Sequence, residues 1–68
     1  MMDEYFVRNS IEGTLDELKD ALEAGDEKRI RLSRKNFSDI ILDYGPLLGE
    51  EEIKRYNKKM ANLNGVEN

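Results

Sequence analysis

The chain contains no cysteine, no histidine and no tryptophan among its 68 residues, and it has a single proline. Without cysteine no disulfide can form, and without cysteine or histidine the best ligands of a structural zinc site are missing. A lone core in a chain of this size seldom supplies more than about 3 to 5 kcal/mol of stability. Self-association is therefore the reinforcement that we expect.

The missing residues also bear on catalysis, because histidine is the usual proton shuttle and cysteine the best nucleophile. Ser10, Ser33 and Ser38 have no base at a recognisable spacing, and we expect all three to lie on the surface. The sequence has no phosphate-binding glycine loop, no nucleotide fingerprint and no EF-hand loop. We therefore predict a protein that is not an enzyme and that holds no cofactor.

A long hydrophobic run is absent as well. The first residues include Asp3 and Glu4 in place of a basic n-region, and no apolar stretch approaches the ~20 residues of a membrane span. We expect a cytoplasmic protein with no membrane partner. Only 38% of the residues are hydrophobic, but their regular spacing is typical of a folded chain.

The apolar residues that are present recur at helical spacing in the first third of the chain. Steps of three or four residues separate Val7, Ile11, Leu15, Leu18 and Leu22. This stripe predicts a helix over about 3–24. Gly13 and the capping-box pattern of Thr14–Glu17 leave open a break into two shorter helices. Because the stripe keeps its phase across Gly13, one continuous helix is favoured.

Gly25 and Asp26 suit the end of this helix and the N-cap of the next, so the two helices are predicted to form an antiparallel hairpin. The second helix is expected over about 27–44 and ends at Gly45-Pro46. Its predicted core residues share one face: Ile30, Phe37, Ile41 and Tyr44, with Ile40 beside them. Leu47 and Leu48 are expected to close the open end of the core.

A narrow apolar stripe predicts a third short helix over about 50–64. Its members are Ile53, Tyr56, Met60 and Leu63. The predicted fold class is all-α, with one domain over 1–68 packed as an oligomeric helical bundle and a frayed tail at 66–68. The run Ala21–Asp26 is similar to the turns inside tetratricopeptide-like hairpins. That similarity covers six residues, and no family is recognised across the whole chain.

Charge is distributed unevenly along the sequence. Residues 1–27 carry a net charge of −7, residues 28–45 carry +3, and the rest is neutral, which gives −4 overall. The bases of the second helix lie near its start, where the helix dipole disfavours them. Most acids of the first helix and bases of the second point away from the apolar stripes. Only flanking residues such as Glu17, Arg29 and Arg34 are expected to meet within one hairpin.

These outward side chains form the candidate partner or oligomer face. It comprises bases and leucines of the second helix and acids of the first: Lys28, Arg31, Leu32, Lys35, Leu42, Glu12, Asp16, Asp20 and Glu23. A ladder of carboxylates can hold a hard cation, but a di-iron bundle needs Glu-x-x-His pairs, so no metal site is predicted. Leucines beside charge and outside the core stripe indicate a protein contact.

Three interpretations of this face remain open. The outward stripes meet between copies of the chain, with a dimer favoured, or they contact another protein. Alternatively the basic stripe binds nucleic acid, which is less expected because the pI is about 4.8 and no aromatic residue is interleaved to stack on bases. The charges can also be simply solvated. We predict a self-associating interaction module that acts as an adaptor, inhibitor or regulator, with a nucleic-acid-binding regulator as the alternative.

Overall fold

In the computed structural model the described residues are 3–63 and 65, and they form three α-helices. These are α1 (Glu4–Ala24), α2 (Glu27–Tyr44) and α3 (Glu50–Leu63), with a short 3-10 turn at Gly45–Leu47 between the last two. Within this part of the chain there is no strand. The predicted all-α hairpin with a third short helix is confirmed. The predicted frayed tail at 66–68 lies outside the described residues.

The first helix is continuous through Gly13, as its apolar periodicity predicted. It begins at Asp3, whose Oδ1 accepts a hydrogen bond of 2.9 Å from the backbone N–H of Phe6. The Thr14 hydroxyl donates to the carbonyl of Ser10 at 2.9 Å, so it bonds back into the helix and caps no second one. The alternative of two helices broken at Gly13 is therefore wrong.

Two adjacent residues make the hairpin turn. Gly25 has a φ of 67°, the left-handed conformation that closes a helix without a Cβ penalty. The N–H groups of Gly25 and Asp26 donate to the carbonyls of Leu22 and Ala21, at 3.2 and 3.1 Å. The Asp26 carboxylate then accepts the N–H of Arg29 at 3.2 Å and caps α2. A turn this short sets α2 antiparallel against α1.

The buried core is built mainly by α1. Side chains below 7% exposure come from all three helices: Val7, Ile11, Leu15, Leu18, Ala21, Ser33, Phe37 and Tyr56. Partly buried side chains pack around them, namely Ile40, Ile41, Tyr44, Leu48, Met60 and Leu63. Because five of the eight buried residues belong to α1, this helix is the centre against which the other two pack.

Two expectations about individual side chains are wrong. Ser33 was expected on the surface but is 3% exposed. It lies four residues before Phe37, on the same face of α2, where a small side chain allows close approach of α1. Leu47 was expected to close the core together with Leu48. Leu48 packs on the core, whereas Leu47 remains 50% exposed because the 3-10 turn directs the two side chains differently.

The third helix runs parallel to α1. Arg8 is paired with Glu52, and Glu12 with Tyr56, so each step of four residues along α1 is matched by four along α3. Gly45 permits this packing, because a Cβ there would lie 3.1 Å from the Cδ1 of Ile53. The three helices form a flattened body with Cα extents of 34 × 25 × 15 Å. One side of α2 is left uncovered.

Candidate interaction surface

The uncovered side of α2 carries the residues that the sequence singled out. We call Lys28, Arg31, Leu32, Lys35 and Leu42 the outer face of α2; all five are exposed. Leu32 is 55% exposed and Leu42 is 80% exposed. The side chains lie opposite Phe37 at about 3.6 residues per turn, so the packing that buries Phe37 turns them to solvent.

An acid of α1 and a base of α2 meet at the edge of the hairpin. Arg29 Nε donates a hydrogen bond of 3.0 Å to Glu17 Oε2, and Arg29 Nη2 lies 2.9 Å from the same oxygen. This ion pair joins α2 to α1 close to the hairpin turn. It confirms the prediction that flanking residues meet within the hairpin. The outward charges are not neutralised by this contact.

On the outer face of α2 the bases have little internal compensation. Lys35 is paired with Asp39 one turn later, at 3.1 Å, with both side chains largely exposed. Lys28 and Arg31 form no ion pair with any other described residue. An exposed pair of this kind is worth only about 0.3 to 0.5 kcal/mol. The face therefore presents positive charge and two leucines to solvent.

The acidic stripe of α1 is divided between two roles. Asp16, Asp20 and Glu23 are exposed and make no ion pair within the described part of the chain. We call these three the outer face of α1. Glu12 belongs instead to the contact with α3, because its Oε2 accepts a 3.2 Å hydrogen bond from the Tyr56 hydroxyl. Sequence spacing alone placed Glu12 with the other three.

Tyr56 is the residue that sequence reasoning assigned to packing alone. Its ring is 1% exposed, yet its hydroxyl reaches the edge of the core at Glu12. Burial raises the pKa of Tyr56, and the neighbouring Glu12 carboxylate raises it further. The cations of Arg55 and Lys59 lie 5.8 and 5.7 Å from the ring centroid. A buried tyrosine usually forms a hydrogen bond through its hydroxyl. This rule could have predicted from the sequence that Tyr56 has a polar partner.

Two charged residues of α3, Glu52 and Arg55, are paired within the molecule. Glu52 accepts hydrogen bonds from Arg55 at 2.6 Å and is paired with Arg8 of α1 at 3.1 Å. These guanidinium groups, Arg55 first, hold the pKa of Glu52 below its usual range. Arg8 is also paired with Glu4. Arg55 and Glu52 are three residues apart, so their side chains lie on the same side of α3.

An open groove separates the second half of α3 from α1. Its walls combine both signs of charge with apolar atoms, from Glu12, Leu15, Asp16, Lys19, Lys59, Asn62 and Leu63. Across the residues with described positions, no three acidic side chains converge in a geometry that would hold a metal ion.

The described surfaces therefore offer charge and apolar contact, and the outer face of α2 combines both. In the described helices, none has both the length and the apolar character needed to cross a membrane. In comparisons with family models, with curated proteins and with solved structures, no match to this chain is found.

Proposed function

We propose that the chain is a non-enzymatic, cytoplasmic interaction module that binds another protein chain through the outer face of α2. It would act as an adaptor, inhibitor or regulator of that partner. One observation carries the proposal. Leu32 and Leu42 are turned to solvent beside three basic side chains, while the opposite side of the same helix supplies the core.

The energetics favour a protein partner for this face. Burying a leucine side chain is worth about 1.5 to 3 kcal/mol relative to full exposure, so two exposed leucines hold a sizeable part of a binding energy. Lys28, Arg31 and Lys35 would lie around them as a polar rim that selects an acidic partner surface. Interfaces with apolar anchors and charged rims are typical of protein partners.

Nucleic acid is less well supported by the same residues. Single-stranded nucleic acid is held by aromatic side chains on which bases stack, and the outer face of α2 has none. Asp39 is paired with Lys35 on this face, so it would lie close to a phosphate backbone. The pI of about 4.8 is also far below the basic value that is typical of a nucleic-acid-binding domain. Nucleic-acid binding is therefore treated below as a result that would contradict the proposal.

The proposal is tested by site-specific photo-crosslinking in the cells that make the protein. A benzophenone amino acid replaces Leu42, and a matched control places it at Asn57, an exposed position on α3. We expect a discrete protein adduct from position 42 and none from position 57. The adduct is identified by mass spectrometry, and binding is then measured with the purified partner by calorimetry.

A second variant decides between the partners. K28E/R31E/K35E should abolish the adduct while helix content, measured by circular dichroism, stays unchanged. Equal adducts from positions 42 and 57 would overturn the proposal. It would also fail if labelled DNA or RNA oligonucleotides bound the wild type in a salt-sensitive manner and this binding was lost in K28E/R31E/K35E.

A further inference from the structure

We propose that the partner of the outer face of α2 is the outer face of α1 in a second copy of the chain, with the two helices antiparallel. This inference rests on the proposed function and names the partner of the same surface. It draws on three observations: the spacing of the opposite charges, the positions of the most exposed apolar side chains, and the absence of internal partners for most of these charges.

The charge spacing of the two faces matches in one direction only. Along α1 the acids follow at steps of four and three residues, from Asp16 to Asp20 to Glu23. Along α2 the bases follow at steps of three and four, and therefore at four and three when α2 is followed backwards. Both sets span seven residues, about 10 Å of helix. Antiparallel packing thus sets each acid opposite one base.

The register that results is specific. It pairs Asp16 with Lys35 of the second copy, Asp20 with Arg31 and Glu23 with Lys28. Each of these six side chains is exposed, and only Lys35 has an ion-pair partner among the described residues. Because the Lys35–Asp39 pair is exposed, exchanging it for a contact with the second copy loses little free energy.

The same register brings the most exposed apolar side chains near each other. Leu42 and Tyr5 are 80% and 73% exposed, the two highest values among the large hydrophobic side chains of the described residues. Continuing the pairing along the helices sets Leu42 opposite Asn9, one turn from Tyr5. Contact between this leucine and this ring would bury apolar surface that no part of the same copy covers. The charge pairs and the apolar contact therefore favour the same antiparallel register of α1 against α2 of the second copy.

The positions of the two outer faces determine how further copies of the chain join the assembly. The buried stripes of α1 and α2 face each other across the hairpin, so the two outer faces point away from each other. One copy can then bind a neighbour through α2 and another through α1. Such a contact is heterologous: the first step joins two copies, and further copies add head to tail.

The experiment uses charge reversal with sedimentation velocity over a range of protein concentrations, at about 0.05 M and about 0.5 M salt. The wild type should self-associate at low salt and dissociate at high salt. K28E/R31E/K35E alone, and D16K/D20K/E23K alone, should each lower the association constant by at least about tenfold. A 1:1 mixture of the two variants should restore association, because each then supplies the complement of the other.

Combining all six substitutions in one chain gives a control for net charge, which returns to that of the wild type. This variant should self-associate, and its charges agree better with the helix dipoles, so its helix content should be retained. The register is tested by single pairs: D20K should restore association to R31E, whereas E50K on α3 should not, although both double variants carry the same net charge.

Three results would overturn the inference. They are a wild type that is monomeric at every concentration and salt, a mixture that stays dissociated, and equal rescue by D20K and E50K. The proposed function is tested separately, because an adduct from position 42 to a different protein would support it while the copy-to-copy contact failed.

Discussion

In α2 an apolar side chain is exposed to solvent, and the polar side chain next to it in sequence is buried. Leu32 is 55% exposed, whereas Ser33 is 3% exposed. Ser33 lies on the inner side of the helix, which packs against α1, and Leu32 lies on the outer side. The contrast separates two demands on one helix. The inner side packs in the core, whereas the outer side places a leucine where it contributes little to the stability of this copy.

The inner side of α2 contributes few large apolar side chains to the core. In α2 only Phe37 is a large, fully buried apolar residue, and Ser33 beside it leaves room for α1. None of the fully buried side-chain nitrogen and oxygen atoms in the described residues lacks a hydrogen-bond partner. The leucines that could have enlarged this core are instead on the outer face.

The largest effect is expected at Phe37. Phe37→Ala removes the main apolar anchor of the inner side, and such a truncation costs about 3 to 5 kcal/mol. That loss is comparable with the whole stability of a domain of this size. We therefore expect the variant to be largely unfolded at 25 °C in a urea titration followed by circular dichroism. A cooperative transition close to that of the wild type would show that the inner side of α2 is not needed for the fold.

Ser33→Leu should be the next most damaging change. A leucine has no room between the two helices, and overpacking of this kind costs about 1 to 3 kcal/mol. The matched control is Ser38→Leu, at an exposed position of the same helix, where the free energy of unfolding should change by no more than about 0.5 kcal/mol. Chemical denaturation of both variants measures the difference. Equal effects at the two positions would contradict the close packing at Ser33.

Tyr56→Phe tests the contact that closes the core from the side of α3. It removes the hydrogen bond to Glu12 and should lower the free energy of unfolding by about 1 kcal/mol at neutral pH. Because the folded-state pKa of Tyr56 is raised, this contribution is complete below the ordinary tyrosine pKa of about 10. It is lost as the pH rises through the folded-state pKa.

Melting temperatures between neutral and strongly alkaline pH measure this dependence. The gap between wild type and Tyr56→Phe should narrow at alkaline pH, since only the wild type must ionise a buried phenol. Tyr5→Phe is the control, because Tyr5 is exposed and its removal should leave the alkaline transition in place. If the difference in melting temperature is independent of pH, then ionisation of Tyr56 is not coupled to unfolding.

The helix boundaries could be predicted from sequence because local chemistry determines them. Gly25 and Asp26 are adjacent, and α2 ends at Gly45, before Pro46, which has no N–H to continue the helical hydrogen bonds. Such signals depend on neighbours in sequence. The continuity of α1 through Gly13 follows in the same manner, since the apolar stripe on either side of it has one phase.

The details that were missed depend on neighbours in space. Whether a serine is buried depends on the distance to the facing helix, and Ser33 carries no local sign of it. The partner of Glu12 could not be assigned without the register of α3 on α1, in which Tyr56 lies opposite Glu12. Ile30, predicted as a core anchor, is only partly buried near the hairpin turn. The outer face of α2 was predicted from periodicity because it requires only that the opposite side be buried.

The smallest effect on stability is expected at Leu32, and it separates the two sides of α2 most clearly. Leu32→Ser removes an exposed side chain and should change the free energy of unfolding by no more than about 0.5 kcal/mol. The same substitution should weaken association, because a leucine that is buried only in the complex contributes there and nowhere else. Denaturation and sedimentation of one sample measure both quantities, with Ser38→Ala as the neutral control. A loss of about 2 kcal/mol in the isolated copy would place Leu32 in the core and remove the contrast with Ser33.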